Sequence, residues 1–268
     1  MSVSNLGSGR AGQRHNLSAR LLANTVLPPV ALAVLVIAAW WVAADAAHST
    51  VFPAPLESIT SLFDNLRLTE FDSSVIATLE LLAESYIAAV LVGAVIGVLI
   101  GISKFWTDAV SPIIYAANSL PKIVLFPVFL IFLGIGEPSR VAFAFVSGVM
   151  PMLLIVLEGA AAVKLVHLKL AASLNMSYPA LIRKIVLPSM VPSLATGARL
   201  TFGLTFVGLL VVEMFAGTGG LGYELLHNVT LVRLQDILGD VVLIVVISLV
   251  PTFFLRWLEA KARARFGA

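Results

Sequence analysis

Length, composition and charge together exclude a water-soluble fold. The chain has 268 residues, of which 59% are hydrophobic and only 12% are charged, with a net charge of +2. Soluble domains carry roughly 25% charged residues, and crossing a bilayer takes about 20 consecutive apolar residues, a length that several runs here reach. With no Cys, the sequence offers neither a disulfide framework nor a thiolate metal site. We therefore predict an all-α integral membrane protein.

The N-terminal part is a polar tail followed by an apolar segment and a loop. Residues 1–24 are rich in Ser, Gly and Asn and contain three arginines, which indicates a disordered or amphipathic cytoplasmic tail. The apolar run at 26–47 has no convincing cleavage site, so we expect an uncleaved first span at the start of one transmembrane domain, 25–268. Residues 48–74 contain four acidic residues against Arg67 alone, which is typical of an outside loop.

The second predicted span, 75–102, contains Gly93, Gly97 and Gly101 at intervals of four residues. This spacing puts the three glycines on one helix face, where small residues let a neighbouring backbone approach closely. We therefore predict that this face packs against another helix.

The third predicted span, 109–133, contains Pro112, Pro121 and Pro127. Prolines remove backbone donors and kink or break helices, and irregular backbone at membrane depth is tolerated where it lines a cavity. We therefore predict that Pro121, Lys122 and Pro127 line a translocation pathway. Alternatively, the Lys122 side chain extends to the membrane interface.

Three further apolar runs, at 141–162, 194–216 and 241–257, bring the expected number of spans to six. Lysine and arginine concentrate in alternate loops and after the last run, as the positive-inside rule requires when both termini are cytoplasmic. Glu213, near the outer end of the fifth run, is the remaining pathway candidate, because a charged side chain inside a membrane is costly unless it has a function or a partner. Alternatively, its carboxylate lies at headgroup level.

The sequence contains no recognisable catalytic or metal-binding motif. It has no G-x-x-x-x-G-K-[ST] loop and no H-E-x-x-H pair, and its four histidines lie apart without ligand spacing. A membrane-embedded enzyme, the alternative from a different class, would need a polar pair inside the bilayer, and Ser147 and Ser248 have no convincing base nearby. We therefore expect no catalytic residue, metal or cofactor in this chain, and lipids rather than nucleic acid around it.

A polar, basic stretch at 164–199 interrupts the apolar runs. Its pattern predicts a short amphipathic helix, a turn at Asn175 and a second helix that starts near Ser177 and is broken at Leu187 and Pro188. A loop of this kind presents a rigid helical knob to a soluble partner.

This loop resembles the signature cytoplasmic loop of binding-protein-dependent ABC importer permeases. The matching residues are Ala171, Asn175, Ile185, Leu187 and Pro188. Two further stretches, 120–141 and 208–226, are similar to the sulfonate, taurine and nitrate branch of that family. The resemblance implies the type I ABC importer permease fold, with about six transmembrane helices, and a function as the transmembrane permease subunit of an importer.

The resemblance also implies partners and a site. In that family the loop docks on a cytoplasmic ATPase dimer that binds ATP and Mg, and two permease chains pass a solute delivered by an extracytoplasmic binding protein. The expected solute is a small organic or inorganic anion of the sulfonate, taurine, nitrate or aromatic acid type, and the expected location is the bacterial plasma membrane. The coupling loop, 164–188, would use Lys169, Leu170, Ala171, Ala172, Leu174, Asn175, Met176, Ser177, Ile185, Leu187 and Pro188.

Three residues of the loop depart from the family pattern. Lys169 stands where the family has Glu, Leu170 where it has the next Ala, and Asn175 where it has Gly. Asn tolerates the left-handed conformation that such turns need. The charge reversal at Lys169 favours a heterodimer of two different permeases over a homodimer, or else a co-adapted ATPase. A second alternative is the coupling component of an energy-coupling-factor vitamin transporter, whose Arg-containing motifs this sequence lacks.

Overall fold

The computed structural model describes residues 31–46, 53–163, 171 and 173–266, and every regular element within these ranges is a helix. The predicted tail at 1–24 lies outside the described residues. The helices are α1 (Ala31–Ala46), α2 (Pro55–Asn65), α3 (Thr69–Gly101), α4 (Lys104–Ser119), α5 (Phe126–Leu133), α6 (Glu137–Ala161), α7 (Leu187–Ala216), α8 (Leu221–Thr230) and α9 (Leu234–Phe266).

Four of these helical segments are long and apolar enough to cross a membrane: α3, α6, the stretch Pro179–Ala216 that contains α7, and α9. The pair α4 and α5 makes a fifth crossing if the two helices form one broken span. The predicted count of six is therefore not matched exactly, because within the described residues α1 is shorter than a full span. Part of the predicted first span, at 26–30 and 47, lies outside the described residues.

The predicted third span is broken, as its prolines indicate. Lys104–Ser119 and Lys122–Leu133 meet at an angle of 85°. Leu120, which precedes Pro121, is extended with ψ 133°, because the proline ring excludes the helical conformation from the residue before it. Pro112 lies inside α4 without ending it, and Pro127 lies in the first turn of α5, where its missing N–H costs nothing.

Helix α6 lies at the centre of the bundle, between α3 and α7. Its buried face contributes Met152, Val156 and Ala160 to a core cluster that Met190 of α7 completes. Helix α9 packs against α2 and α7, and α8 bridges α7 and α9. The outer faces of α3, α5 and α9 keep large apolar side chains exposed, as expected for surfaces that meet lipid or a second chain.

The glycine face of α3 lies directly against α6. A Cβ built on Gly97 would lie 2.8 Å from the carbonyl oxygen of Leu153, and one built on Gly101 would lie 2.5 Å from that of Leu157. Gly93 makes a similar approach to Met152. Real Cβ atoms do not come this close to backbone, so the separation of the two helices depends on the absence of side chains here.

The prediction that Leu187 and Pro188 break the helix is wrong. The helical turn Tyr178–Leu181 continues through a π-helical segment, Ile182–Val186, directly into α7, which gives one helix of 38 residues from Pro179 to Ala216. In a regular α-helix, Pro188 would clash with the carbonyl four residues earlier. The wider π turn that precedes it contains an extra residue and accommodates the ring.

Candidate functional site

The turn of the coupling loop is closed by a specific backbone hydrogen bond. The N–H of Met176 donates to the carbonyl oxygen of Ala171 at 3.0 Å, and Asn175 between them has φ +45°. This bond around a left-handed residue is the Schellman motif that ends a helix. Asn therefore takes the position for which glycine is the usual residue.

The described part of the coupling loop has a buried anchor and an exposed tip. Ala171 is 3% exposed, whereas the Leu174 side chain is 64% exposed at the turn. Ser177 is also exposed, and Met176 is half-buried. Lys169, Leu170 and Ala172 lie outside the described residues.

The remaining predicted loop residues belong to the long helix rather than to the turn. Ile185 ends the π-helical segment together with Val186, and Leu187 and Pro188 begin α7. Ile185 and Pro188 are half-buried, while Arg183 and Lys184 project a basic edge next to them. From Tyr178 onward, the loop and the membrane-spanning helix are thus one continuous element.

The pathway candidates from the third span lie at its break. Pro121 and Pro127 are exposed, and Lys122 is half-buried, with its Nζ 3.3 Å from Oδ1 of Asn118. These residues are therefore accessible at a sharp bend in the backbone. Helix α5 places the bend beside the end of α7, because Phe126 packs with Val212 and Ala216, which flank Glu213 in the chain.

Glu213 is fully buried and is held by hydrogen bonds on both carboxylate oxygens. The hydroxyl oxygen of Thr78 on α3 lies 2.9 and 3.0 Å from Oε1 and Oε2, and the N–H of Gly222 on α8 donates to Oε2 at 3.0 Å. The N–H of Leu221 in turn donates to the Thr78 hydroxyl at 2.8 Å. In this conformation the carboxylate connects three helices and is not open to a pathway.

The loop between α7 and α8 is shaped around this carboxylate. Gly220 has φ +104°, and a Cβ built on it would lie 2.5 Å from Cδ of Glu213. Beside it, Nη1 of Arg140 donates to the carbonyl oxygen of Gly219 at 3.1 Å, and Arg140 is only 6% exposed. Both the backbone conformation and the space therefore require glycine at position 220.

Sequence reasoning missed Thr78 and Arg140. From the sequence, Arg140 is only a charge in the short polar stretch between the third and fourth predicted spans, and Thr78 is part of an apolar run. One signal was available, since Ser74, Thr78 and Ser85 interrupt that run on one helical face, and all three are buried. A polar stripe of this kind indicates partners on a neighbouring element.

A second buried charge cluster, also missed, joins α7 to α9. Glu259 accepts from Nε of Arg199 at 2.6 Å, from the hydroxyl of Thr196 at 2.8 Å and from Nη2 of Arg263 at 2.9 Å. The Glu259 side chain is 9% exposed. Because the partners lie on two helices, the cluster fixes the end of α9 against α7.

Comparison with known proteins identifies the family of this fold. Residues 89–265 match the family model described as the binding-protein-dependent transport system inner membrane component. This match covers more than half of the chain. The chain belongs to this family. It is therefore an integral membrane subunit of a transport system and not an enzyme, and it has the type I ABC importer permease fold. Its family works with a separate ATPase and a solute-binding protein.

Two relatives match nearly the whole chain. The nitrate import permease protein of Synechocystis is 25% identical over 269 residues, which is 97% of each chain. The taurine transport system permease protein of Escherichia coli is 27% identical over 236 residues, which is 86% of each chain. Among solved structures, a chain of the inward-facing MetNI methionine ABC transporter has a TM-score of 0.59 and 20% identity, and the match covers 72% of this chain and 94% of that one. At this identity, the structural match shows the shared fold alone.

Proposed function

We propose that this chain forms one half of the translocation pathway for a small anion and that a separate ATPase drives it by alternating access. The observation that supports the anion most strongly is the near full-length similarity to permeases named for nitrate and taurine, both of which carry an anionic group. Lys122, accessible at the broken third span, supplies a positive charge on the proposed path. The solute is an inorganic oxyanion or a small sulfonate.

The coupling loop is the site at which the ATPase acts. The Schellman turn holds Leu174 in a fixed, exposed position, and an exposed apolar side chain on a rigid turn is suited to fill a groove on a soluble partner. Lys169 and the other loop residues at 164–188 would surround this contact. ATP and Mg bind on the partner, whose dimer closes and moves the two docked loops.

The long helix Pro179–Ala216 gives this movement a direct route across the membrane. It starts in the loop and ends at Ala216, and in its last turn Glu213 is hydrogen-bonded to α3 and α8. A helix transmits displacement along its axis because its backbone hydrogen bonds are continuous. We call the hydrogen-bonded group of Glu213, Thr78 and Gly222 the joint. A push on the loop therefore reaches the joint and opens one side of the pathway as it closes the other.

The assembly contains two permease chains with both termini in the cytoplasm of a bacterial cell. The C-terminal end of α9 carries Arg256, Lys261, Arg263 and Arg265, as the positive-inside rule requires for that orientation. On α5, Ile131 is 79% exposed and Phe132 is 81% exposed, a surface suited to the second chain beside the broken span. The reversed charge at Lys169 favours a second permease of different sequence.

Association with the ATPase tests this proposal. The full chain is co-expressed with the ABC ATPase of its own transport system, and the purified complex is assayed for bound ATPase and for hydrolysis. Leu174→Asp should release the ATPase, because it places a charge in the apolar contact. Val232→Asp is the matched control, since Val232 is 72% exposed in the turn between α8 and α9, away from the coupling loop. If intact chain binds no ATPase, or if both variants behave alike, the coupling-loop proposal is wrong.

A further inference from the structure

A cavity of about 560 Å³ opens between α7 and α9, near the C-terminal end of α9. Its α9 wall includes Leu249, Phe253, Arg256, Glu259 and Arg263, and its α7 wall is Arg199. These five α9 residues follow one another at intervals of three or four positions, so they form one stripe along the helix. The stripe is apolar at one end and basic at the other.

The dimensions of the stripe match one leaflet of a membrane. From Leu249 to Arg263 the helix rises about 21 Å at 1.5 Å per residue. Half of a bilayer, with its headgroup region, is roughly 20 Å thick. An amphipathic molecule whose apolar chain lies along Leu249 and Phe253 would therefore have its polar group at the level of Arg256 and Arg263.

The level of the headgroups is marked independently on α9. Trp257 is 51% exposed, and the Nζ of Lys261 lies 3.6 Å from the centre of its ring. Tryptophan and basic residues concentrate where a membrane protein meets the headgroups. This pair lies in the same stretch of α9 as the arginines of the cavity, so the basic end of the stripe is at the interface.

The cavity has an excess of positive charge, which an anion could balance. Three arginines and one glutamate line it, a net formal charge of +2. Glu259 is already bonded to Arg199 and Arg263. Within the part of the chain that the structure describes, Arg256 makes no ion pair, and its side chain is exposed at the rim. A phosphate group would supply the missing partner, and an arginine fork suits it well.

We propose that this cavity binds an anionic phospholipid of the surrounding membrane. The phosphate lies against Arg256 and Arg263, and an acyl chain follows Leu249 and Phe253 toward the membrane centre. Because the cavity lies between α9 and Arg199, the lipid stabilises the packing of α9 against the middle of the long helix that begins at the coupling loop. The activity of the transporter then depends on the anionic lipid content of its membrane.

Lipid retention measures this site directly. The full chain is placed in nanodiscs that contain equal amounts of dioleoylphosphatidylglycerol and dioleoylphosphatidylcholine, and retained lipid is counted by native mass spectrometry. We expect phosphatidylglycerol to be enriched by roughly five-fold or more, since one arginine near the surface contributes about that factor. Arg256→Gln should remove most of the enrichment, and Arg256→Lys should keep most of it.

The control for general charge is Arg265→Gln, because Arg265 lies on the same end of α9 but outside the cavity, over the ring of Phe266. It should leave the enrichment unchanged. Equal retention of both lipids by the intact chain would overturn the proposal, as would an equal loss in Arg256→Gln and Arg265→Gln. Displacement of the lipid by excess inorganic phosphate would show that a free anion is the ligand and would also overturn it. So would exclusion of both lipids from a dimer, because a second copy would then cover the cavity.

Discussion

The hydroxyl of Thr78 on α3 donates to the carboxylate of Glu213 on α7, with its oxygen 2.9 and 3.0 Å from the two carboxylate oxygens. Both side chains are fully buried. The same hydroxyl accepts the N–H of Leu221 at the start of α8. The two side chains thus accept hydrogen bonds from the first backbone N–H groups of α8 and hold three helices together at one end of the bundle.

We predict that Glu213→Ala destabilises the protein strongly. It leaves the Thr78 hydroxyl and the Gly222 N–H buried without their acceptor, and the expected loss in free energy of unfolding is about 2–4 kcal/mol. Glu213→Gln keeps one acceptor oxygen and the volume, so it should cost clearly less. Thermal unfolding in detergent measures both, with Glu84→Ala as the control because Glu84 is exposed on α3. An equal effect of Glu213→Ala and Glu84→Ala would contradict the role of the joint.

The close approach of α3 and α6 yields a second prediction. Gly97→Ala places a Cβ 2.8 Å from the carbonyl oxygen of Leu153, and the resulting strain should cost about 1–3 kcal/mol. Gly203→Ala on α7 is the control, because a Cβ there meets nothing within 4 Å. In a helix interior that change should be neutral or stabilise by roughly 0.5–1 kcal/mol. If Gly97→Ala proved more stable than Gly203→Ala, the close packing of α3 against α6 would not depend on glycine at position 97.

Two non-glycine residues with positive φ give a paired prediction. Asn175 has φ +45°, and Val232 has φ +58°. Asn tolerates this conformation, whereas a β-branched side chain is strained in it. Asn175→Val should therefore lower the free energy of unfolding by about 1 kcal/mol, and Val232→Asn should raise it by a similar amount. The same thermal scan checks both, and a stabilising effect of Asn175→Val would refute the geometry of the loop turn.

The charge of Lys122 should affect transport rather than stability. If the solute is an anion that passes the broken span, Lys122→Gln should reduce uptake roughly tenfold through loss of one charge-assisted contact. Lys122→Arg should retain most of the uptake. Lys104→Gln is the control, because Lys104 is 89% exposed and pairs with Asp108 at 3.0 Å, away from the break. Unchanged uptake by Lys122→Gln would remove Lys122 from the pathway.

Local features of the fold were predictable because they depend on neighbouring residues. Four of the apolar runs predicted the spanning helices α3, α6, α7 and α9, Pro121 predicted the break in the third span, and Asn175 predicted a turn. The continuation of the helix through Pro188 was not predictable in this way. It depends on a π-helical segment whose extra residue is visible only in the backbone.

The joint and the α7–α9 cluster could not be predicted, because their members are far apart in sequence. Thr78 and Glu213 are separated by 135 positions, and Arg199 and Glu259 by 60. An unpaired buried carboxylate is costly, so the sequence shows that Glu213 needs a partner or a wet pathway. Only the packing of α3 against α7 decides that Thr78 is a partner.

ATP-driven uptake tests the central claim most directly. The chain is reconstituted in liposomes with its ATPase, any second permease and ATP inside, and with the solute-binding protein and labelled nitrate, taurine or a short alkanesulfonate outside. We predict that one of these anions accumulates only when both ATP and the binding protein are present, and that Leu174→Asp abolishes accumulation while Val232→Asp does not. Entry of the anion without ATP, or ATP hydrolysis by the complex with no accumulation of any of these anions, would contradict an ATP-driven importer of small anions.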